Sequence, residues 1–261
     1  MTNLETWHAV VFPETSMPHM AEALRSHPEQ NVQDHAITQE VLAHLGPERT
    51  VVDIGAGIGR FTIPLAQTGC TVWAVEPSAV MRAQLAQALN ISTEPELRVH
   101  TVPGVWPAVA VPTVEVALAA FVIHFSPEPR EFIRAMEAVA TRRCVVAMHV
   151  DHMFAGMEDL WKAFHPDRPV PSSPVWRNLD ALLWEEGIVP DVQVVDEPLR
   201  SDFWRDPHKL LEGLGDLLDL STEAERAQLA TLLRERRAAS PDHGVASHHR
   251  FAVVSWTPRS A

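Results

Sequence analysis

The chain contains no tyrosine. No phenol can therefore act as a base or orient a substrate, and those tasks fall to histidine, carboxylates, tryptophan or main chain. Cysteine is scarce too: Cys70 and Cys144 each open a predicted strand, which reads as two small buried residues rather than a disulfide or a metal pair. No apolar run is long enough to span a bilayer, and Met1-Thr2-Asn3-Leu4-Glu5 lacks the basic-then-apolar layout of a signal peptide. A cytoplasmic protein with no membrane partner is the expectation. Positive charge is also short, and a formal net charge of −13 repels a phosphate backbone, which argues against a nucleic-acid partner.

What remains is a chain of 261 residues, 46% hydrophobic, long enough to bury a full core and read as one elaborated domain. Its most informative stretch is Val51-Val52-Asp53-Ile54-Gly55-Ala56-Gly57-Ile58-Gly59-Arg60-Phe61, followed later by Val75-Glu76-Pro77. The lead-in is short, apolar and β-branched, as suits a strand covered on both faces of a parallel sheet. Gly55, Gly57 and Gly59 let the backbone turn sharply and admit a ligand where a Cβ would collide. Residues 60–67 carry Phe61, Leu65 and Ala66 at helical spacing and stop at Gly69. A second strand over 71–75 delivers Glu76 to the carboxyl edge, where a carboxylate can accept both hydroxyls of a ribose.

Spacing separates the cofactors that such loops hold. A dinucleotide fingerprint places its third glycine or alanine where this chain has Arg60. Asp53, just before the first glycine, would repel a pyrophosphate but suits a cationic ligand. Asp-x-Gly-x-Gly-x-Gly, with Glu76 ending the next strand, resembles the class I S-adenosylmethionine-dependent methyltransferases over residues 31–150. The resemblance implies S-adenosylmethionine as cofactor. It places Asp53, Ile54, Gly55, Ala56, Gly57 and Gly59 by the methionine moiety and sugar, Glu76 and Pro77 at the ribose, and Met81 by the adenine. Gly104, Val105 and Trp106, after the third strand, would border the adenine with a main-chain amide reading its ring nitrogens; Trp106 reads equally well as a core aromatic. Ala120, at the end of the fourth strand, completes the implied set.

Strands alternate with helices: 97–102, 114–120 and 144–150 are the third to fifth strands, with 192–195 and 251–256 the sixth and last. This alternation predicts an α/β fold, a doubly wound, mostly parallel sheet of seven strands. Helices are expected over 31–45, after Ser78, after Ser126-Pro127 and after Ser173-Pro174. Residues 1–30 read as an irregular cap over the ligand site, 31–150 as the cofactor core, and 151–261 as a C-terminal half. Within that half about fifty residues, 198–247, stand where the methyltransferases it resembles often have a short hairpin. They read as two helices, the second opened by a Thr222–Glu225 capping box, forming a lid over the carboxyl edge.

The resemblance also directs attention to the end of the fourth strand, where such enzymes face their acceptor. DNA and some protein methyltransferases carry Asn or Asp followed by Pro-Pro-Tyr there, whereas this chain has Ala120-Phe121-Val122-Ile123-His124. A small-molecule acceptor is implied, with O-methylation the first choice and N-, S- or C-methylation open. His124 is the candidate general base, since imidazole titrates near neutral pH; a structural histidine at the mouth of a helix is the alternative. His149, Asp151 and His152 cluster past the fifth strand, but their spacing matches no metal motif, and a polar strand end is the expectation there and at His248 and His249. Phe154, Trp161, Phe164, Trp176, Trp184 and Phe203 are candidates to wall an apolar acceptor pocket. Two other readings stay open: a sensor or partner subunit that binds the cofactor without turnover, and a nucleotide-sugar or NAD enzyme, disfavoured by Arg60.

Overall fold

The computed structural model describes residues 7, 9, 21, 35–91, 97–152, 154–198, 206–239 and 248–259. The buried β-branched runs form β1 Thr50–Ile54, β2 Thr71–Glu76, β3 Val99–Pro103, β4 Val114–Ala120 and β5 Ala140–His149. β6 Asp191–Pro198 and β7 His248–Trp256 complete a seven-stranded sheet ordered β3-β2-β1-β4-β5-β7-β6. The first five strands are parallel, and β7 runs antiparallel between β5 and β6. This is the α/β, doubly wound, mostly parallel sheet expected from the alternation of elements.

Alternation along each strand supplies two cores. Val52 and Ile54 face one layer, with α4 Pro129–Val139 and α6 Trp176–Glu185 lying over it through Ile133, Met136, Leu179 and Leu183. Val51, Val72, Val116 and Val145 face the other, against Ile37 and Val41 of α1 Ala36–Ala43 and Leu65 of α2 Thr62–Gln67. α3 Ala79–Ile91 closes the flank beside β2, its Leu85 fully buried. Each such side chain contributes roughly 1.5–3 kcal/mol on leaving water.

Several boundaries differ from the sequence expectation. Pro127 does not open a helix: Ile123–Phe125 makes a 3-10 turn, and Pro129 takes the first turn of α4. β5 starts at Ala140, directly after α4, rather than at Cys144. α6 begins at Trp176, where the Asn178 side chain accepts from Val175 N at 2.9 Å. β6 and β7 both extend past their apolar centres, because Asp196↔Arg250, Glu197↔His249 and Pro198↔His248 continue the antiparallel ladder. His248 and His249 therefore belong to a strand. Hydrophobic alternation misses these strand ends because they are polar, Asp196 and Glu197 on the exposed edge strand β6 and His248, His249 and Arg250 on β7.

The insert forms α7 Pro207–Leu217 and α8 Glu223–Ala239. The expected capping box is present: Glu225 N donates to Thr222 Oγ1 at 3.2 Å, and Thr222 N donates to Glu225 Oε2 at 2.9 Å. Both helices pack on α5 Glu158–Phe164, and Phe154, Leu160, Trp161, Leu214, Leu218 and Leu229 make a separate apolar core. Arg236 Nη2 ties α8 down by donating to Gly156 O and Asp159 Oδ1, each at 2.8 Å. Phe154 and Trp161 are thus spent inside this helical unit, Trp184 is 57% exposed, and Phe203 lies outside the described residues. Most of the expected cap, and residues 31–34 of the first expected helix, also lie outside them. Trp7 is described and buried, and its indole donates to Ser126 O at 3.0 Å. No helix among the described residues is long and apolar enough to cross a membrane.

Candidate active site

The three loop glycines all adopt positive φ, but for two different reasons. A Cβ on Gly55 would sit 2.4 Å from Val122, and one on Gly59 would sit 2.5 Å from Leu85, so these two positions are fixed by packing. A Cβ on Gly57 would meet only Gly55 O, at 4.0 Å. Gly57 therefore borders open space, the side of the loop available to a ligand.

Hydrogen bonds fasten this loop to the end of β2. Gly55 N and Ala56 N both donate to Val75 O, at 2.8 and 3.0 Å. Glu76 bridges the loop to α3: its Oε2 accepts from Gly57 N and its Oε1 from Ser78 N, each at 2.8 Å. A carboxylate offers about four acceptor positions, so one remains on each oxygen for a ribose hydroxyl. Arg82 supports the same turn by donating to Glu76 O at 2.9 Å and Pro77 O at 2.6 Å. Burial raises the Glu76 pKa, opposed by the two main-chain N–H bonds.

Beneath the loop lies Asp53, 2% exposed, whose Oδ2 accepts from Thr62 Oγ1 at 2.6 Å. Burial pushes its carboxyl up to about 6, and the Glu76 charge pushes the same way. The folded pKa lies above the unfolded value, so the folded state holds a proton that the unfolded chain has lost between roughly pH 4 and pH 6. Stability contributed by the protonated form is full below that window and is lost as pH rises through it. Asp53→Asn keeps an acceptor for Thr62 and cannot ionise. Urea unfolding of this variant is expected to show it more stable than wild type by roughly 1–3 kcal/mol at about pH 8, and nearly equal at about pH 4.

The remaining positions divide between ligand side and core. Ile54 is buried in the core, and Met81 is buried beside the turn with its N–H donated to Ser78 Oγ at 3.4 Å. Gly104 N donates to Glu76 O at 3.4 Å, and Val105 is 63% exposed. The Trp106 ring is a core aromatic: its Nε1 donates to Phe132 O at 3.2 Å, so any contact with an adenine falls to the neighbouring main chain. Ala120 ends β4 opposite Ala147.

Just beyond, Phe121 takes φ +57, rare for a bulky residue. Its ring reaches His149 at 4.9 Å and His249 at 5.3 Å between centroids. His124, the base candidate from sequence, is 4% exposed and lies 6.0 Å from the His149 ring, and burial lowers its pKa to about 4. Asp151 and His152 turn away from His149, toward Arg250 at 3.4 Å and Glu158 at 3.5 Å. No group that could hold a metal ion occurs among the described residues.

Glu197 and His35, which sequence reading did not single out, close the circuit from His149 and His249 back to the loop. His249 Nε2 lies 3.3 Å from His149 Nδ1, and its own Nδ1 lies 3.6 Å from Glu197 Oε1. His35, at the start of α1, places Nε2 3.7 Å from the same oxygen and packs its ring 5.4 Å from that of Phe61. Arg60, beside Gly59, feels the Glu197 charge. Their only sequence signal is a polar residue at a strand end or beside a glycine loop. A cleft of about 460 Å³ lined by Arg134, Glu137, Thr141 and Arg259 opens at the opposite edge, by the start of β5, away from all of these groups.

Residues 52–163 match the family model described as a methyltransferase domain. With the seven-stranded sheet and the Asp53–Glu76 loop, this makes residues 52–163 an S-adenosylmethionine-dependent methyltransferase domain. A putative methyltransferase from an antibiotic biosynthesis pathway of Anabaena variabilis is similar in structure, with TM-score 0.55 and 19% identity, over 83% of this chain and 95% of that one. The YcgJ protein of Bacillus subtilis gives TM-score 0.59 and 14% identity, over 87% and 99%. Magnesium protoporphyrin IX methyltransferase of Synechocystis, with bound SAH, gives 0.52 and 13%, over 95% and 89%. At such identities the likeness shows the fold. No curated protein matches the sequence.

Proposed function

We propose that this enzyme methylates a hydroxyl group of a small molecule. The observation that carries the reading is a carboxyl edge lined by imidazoles and one carboxylate, continuous with the cofactor loop through Val122 and Phe121. The residues fit the cofactor, since Gly57 leaves space that a Cβ would fill and Glu76 keeps acceptor positions for the ribose. S-adenosylmethionine, when bound, supplies an electrophilic methyl group and a neutral thioether leaving group. The protein's part is to align the acceptor, exclude water and take a proton. Burial lowers the pKa values of His35 and His124 to about 4 and of His149 to about 3. These rings are neutral near pH 7, so they do not repel a sulfonium, and each neutral ring carries one nitrogen lone pair.

The helical unit of α5, α7 and α8 leaves the sheet where β5 and β6 end and returns where β7 begins, all at the carboxyl edge. We assign it the role of a substrate lid. The test combines calorimetry with acceptor panels of alcohols and phenols, amines and thiols, each read as released S-adenosylhomocysteine. Micromolar cofactor binding, release with hydroxyl compounds alone, and slower hydrogen exchange over residues 206–239 when product is bound are the expected results. Release with amines alone would refute O-methylation. Binding without release for any acceptor class would mark a sensor, and unchanged exchange would remove the lid.

A further inference from the structure

Three strand ends bring His149, His249 and Glu197 into one line at the acceptor edge, at 3.3 and 3.6 Å. The tautomers follow from the contacts. The Glu197 pKa is lowered first by the His249 contact at 3.6 Å and also by the Arg60 charge. A carboxylate can only accept, so the His249 nitrogen facing it, Nδ1, carries the proton. His249 Nε2 is then an acceptor, and His149 must present Nδ1–H to it. This leaves a lone pair on His149 Nε2, which has no hydrogen-bond partner among the described residues. His35 joins from the other side: Ile37 N donates to its Nδ1 at 3.3 Å, so Nε2–H points toward Glu197.

We propose that Glu197, His249 and His149 form a proton relay in which His149 Nε2 is the catalytic base for a hydroxyl acceptor, with His249 and Glu197 as positioning residues. The idea rests on the O-methylation reading above and names the group that executes it. The acceptor's O–H bond breaks and its proton bonds to His149 Nε2. The oxygen lone pair forms the bond to the transferred methyl carbon, whose bond to sulfur breaks with its electron pair left on sulfur. A positive charge thus leaves sulfur as one appears on imidazole, and the site's net charge is unchanged. The new imidazolium is stabilised through His249 by Glu197, as an oriented carboxylate stabilises a histidine in other acid–base sites. Phe121 offers its ring beside His149, which favours a phenolic acceptor lying flat against it. The sequence candidate His124 is buried, its ring 6.0 Å from that of His149, and it has no carboxylate partner among the described residues.

Nitrogen NMR of the full chain labelled in histidine and saturated with S-adenosylhomocysteine tests the relay without knowledge of the acceptor. At about pH 7 both His149 and His249 are expected as Nδ1–H tautomers. Glu197→Leu should move at least half of the His149 population to Nε2–H, whereas Glu197→Gln, which keeps an acceptor, should not. With catechol and 4-hydroxybenzoate as probes, His149→Gln should lower kcat by about a hundredfold or more at unchanged S-adenosylhomocysteine affinity. An Nε2–H tautomer of His149 in the wild type, tautomers indifferent to Glu197→Leu, or a full loss with His124→Ala but not with His149→Gln would each overturn the relay. Failure to bind S-adenosylhomocysteine would instead strike the cofactor reading itself.

Discussion

Gly55→Ala is expected to unfold the loop and abolish cofactor binding together. The added methyl would lie 2.4 Å from Val122, on a backbone at φ +73. Left-handed strain costs a non-glycine residue about 1–2 kcal/mol, and overpacking adds typically 1–3 kcal/mol. The sum, roughly 2–5 kcal/mol, is a large part of the about 5–15 kcal/mol that holds a domain together. Thermal melts should fall by roughly 5–15 °C. Gly57→Ala provides the contrast, because its methyl meets only Gly55 O, at 4.0 Å, on the protein side. That variant should lose only the strain in stability, yet bind S-adenosylmethionine far more weakly because the methyl stands in the ligand's space. Equal effects of the two substitutions on melting would disprove the division of roles.

The second large effect concerns Glu76→Ala. Hydrogen bonds to a charged group contribute about 1.5–3 kcal/mol, so affinity for S-adenosylmethionine should drop roughly 10- to 150-fold. The same carboxylate holds Gly57 N and Ser78 N, and the variant therefore also frees the loop from α3. Glu76→Gln separates the contributions. Its amide oxygen can keep one main-chain N–H and its NH2 group cannot accept the other, so intermediate affinity with a normal circular-dichroism spectrum is the expected result. Unchanged affinity in the alanine variant, measured by calorimetry, would take Glu76 out of the ribose site.

The cofactor half of the molecule was legible in the sequence because its chemistry is local. Asp53, the glycines and Glu76 lie within one strand-turn-helix-strand unit, and the buried strands announce themselves as β-branched runs. The cluster where β5 and β6 end and β7 begins was not, for two physical reasons. β6 is an edge strand whose residues face water, so hydrophobic alternation fades before Glu197 is reached. The contacts that matter there also join positions far apart in the chain: His149 meets His249, and Glu197 meets His35. His124 stood out in sequence for its place after β4, but the 3-10 turn of Ile123–Phe125 folds it inward. The aromatic residues past β5 suggested a pocket wall, and the structure commits Phe154 and Trp161 to the core of the helical unit.

That helical unit has a core of its own, distinct from the two layers that sandwich the sheet. Lengthening or trimming a connection costs little, since closure entropy grows only with the logarithm of loop length. Substitutions and insertions among α5, α7 and α8 can therefore accumulate without disturbing the register of β5, β6 and β7. Distinct cores leave the two halves free to vary independently. The glycine loop is constrained by the close approach of Val122 to Gly55 and of Leu85 to Gly59, while the helical unit can change its sequence around a core that the sheet does not share.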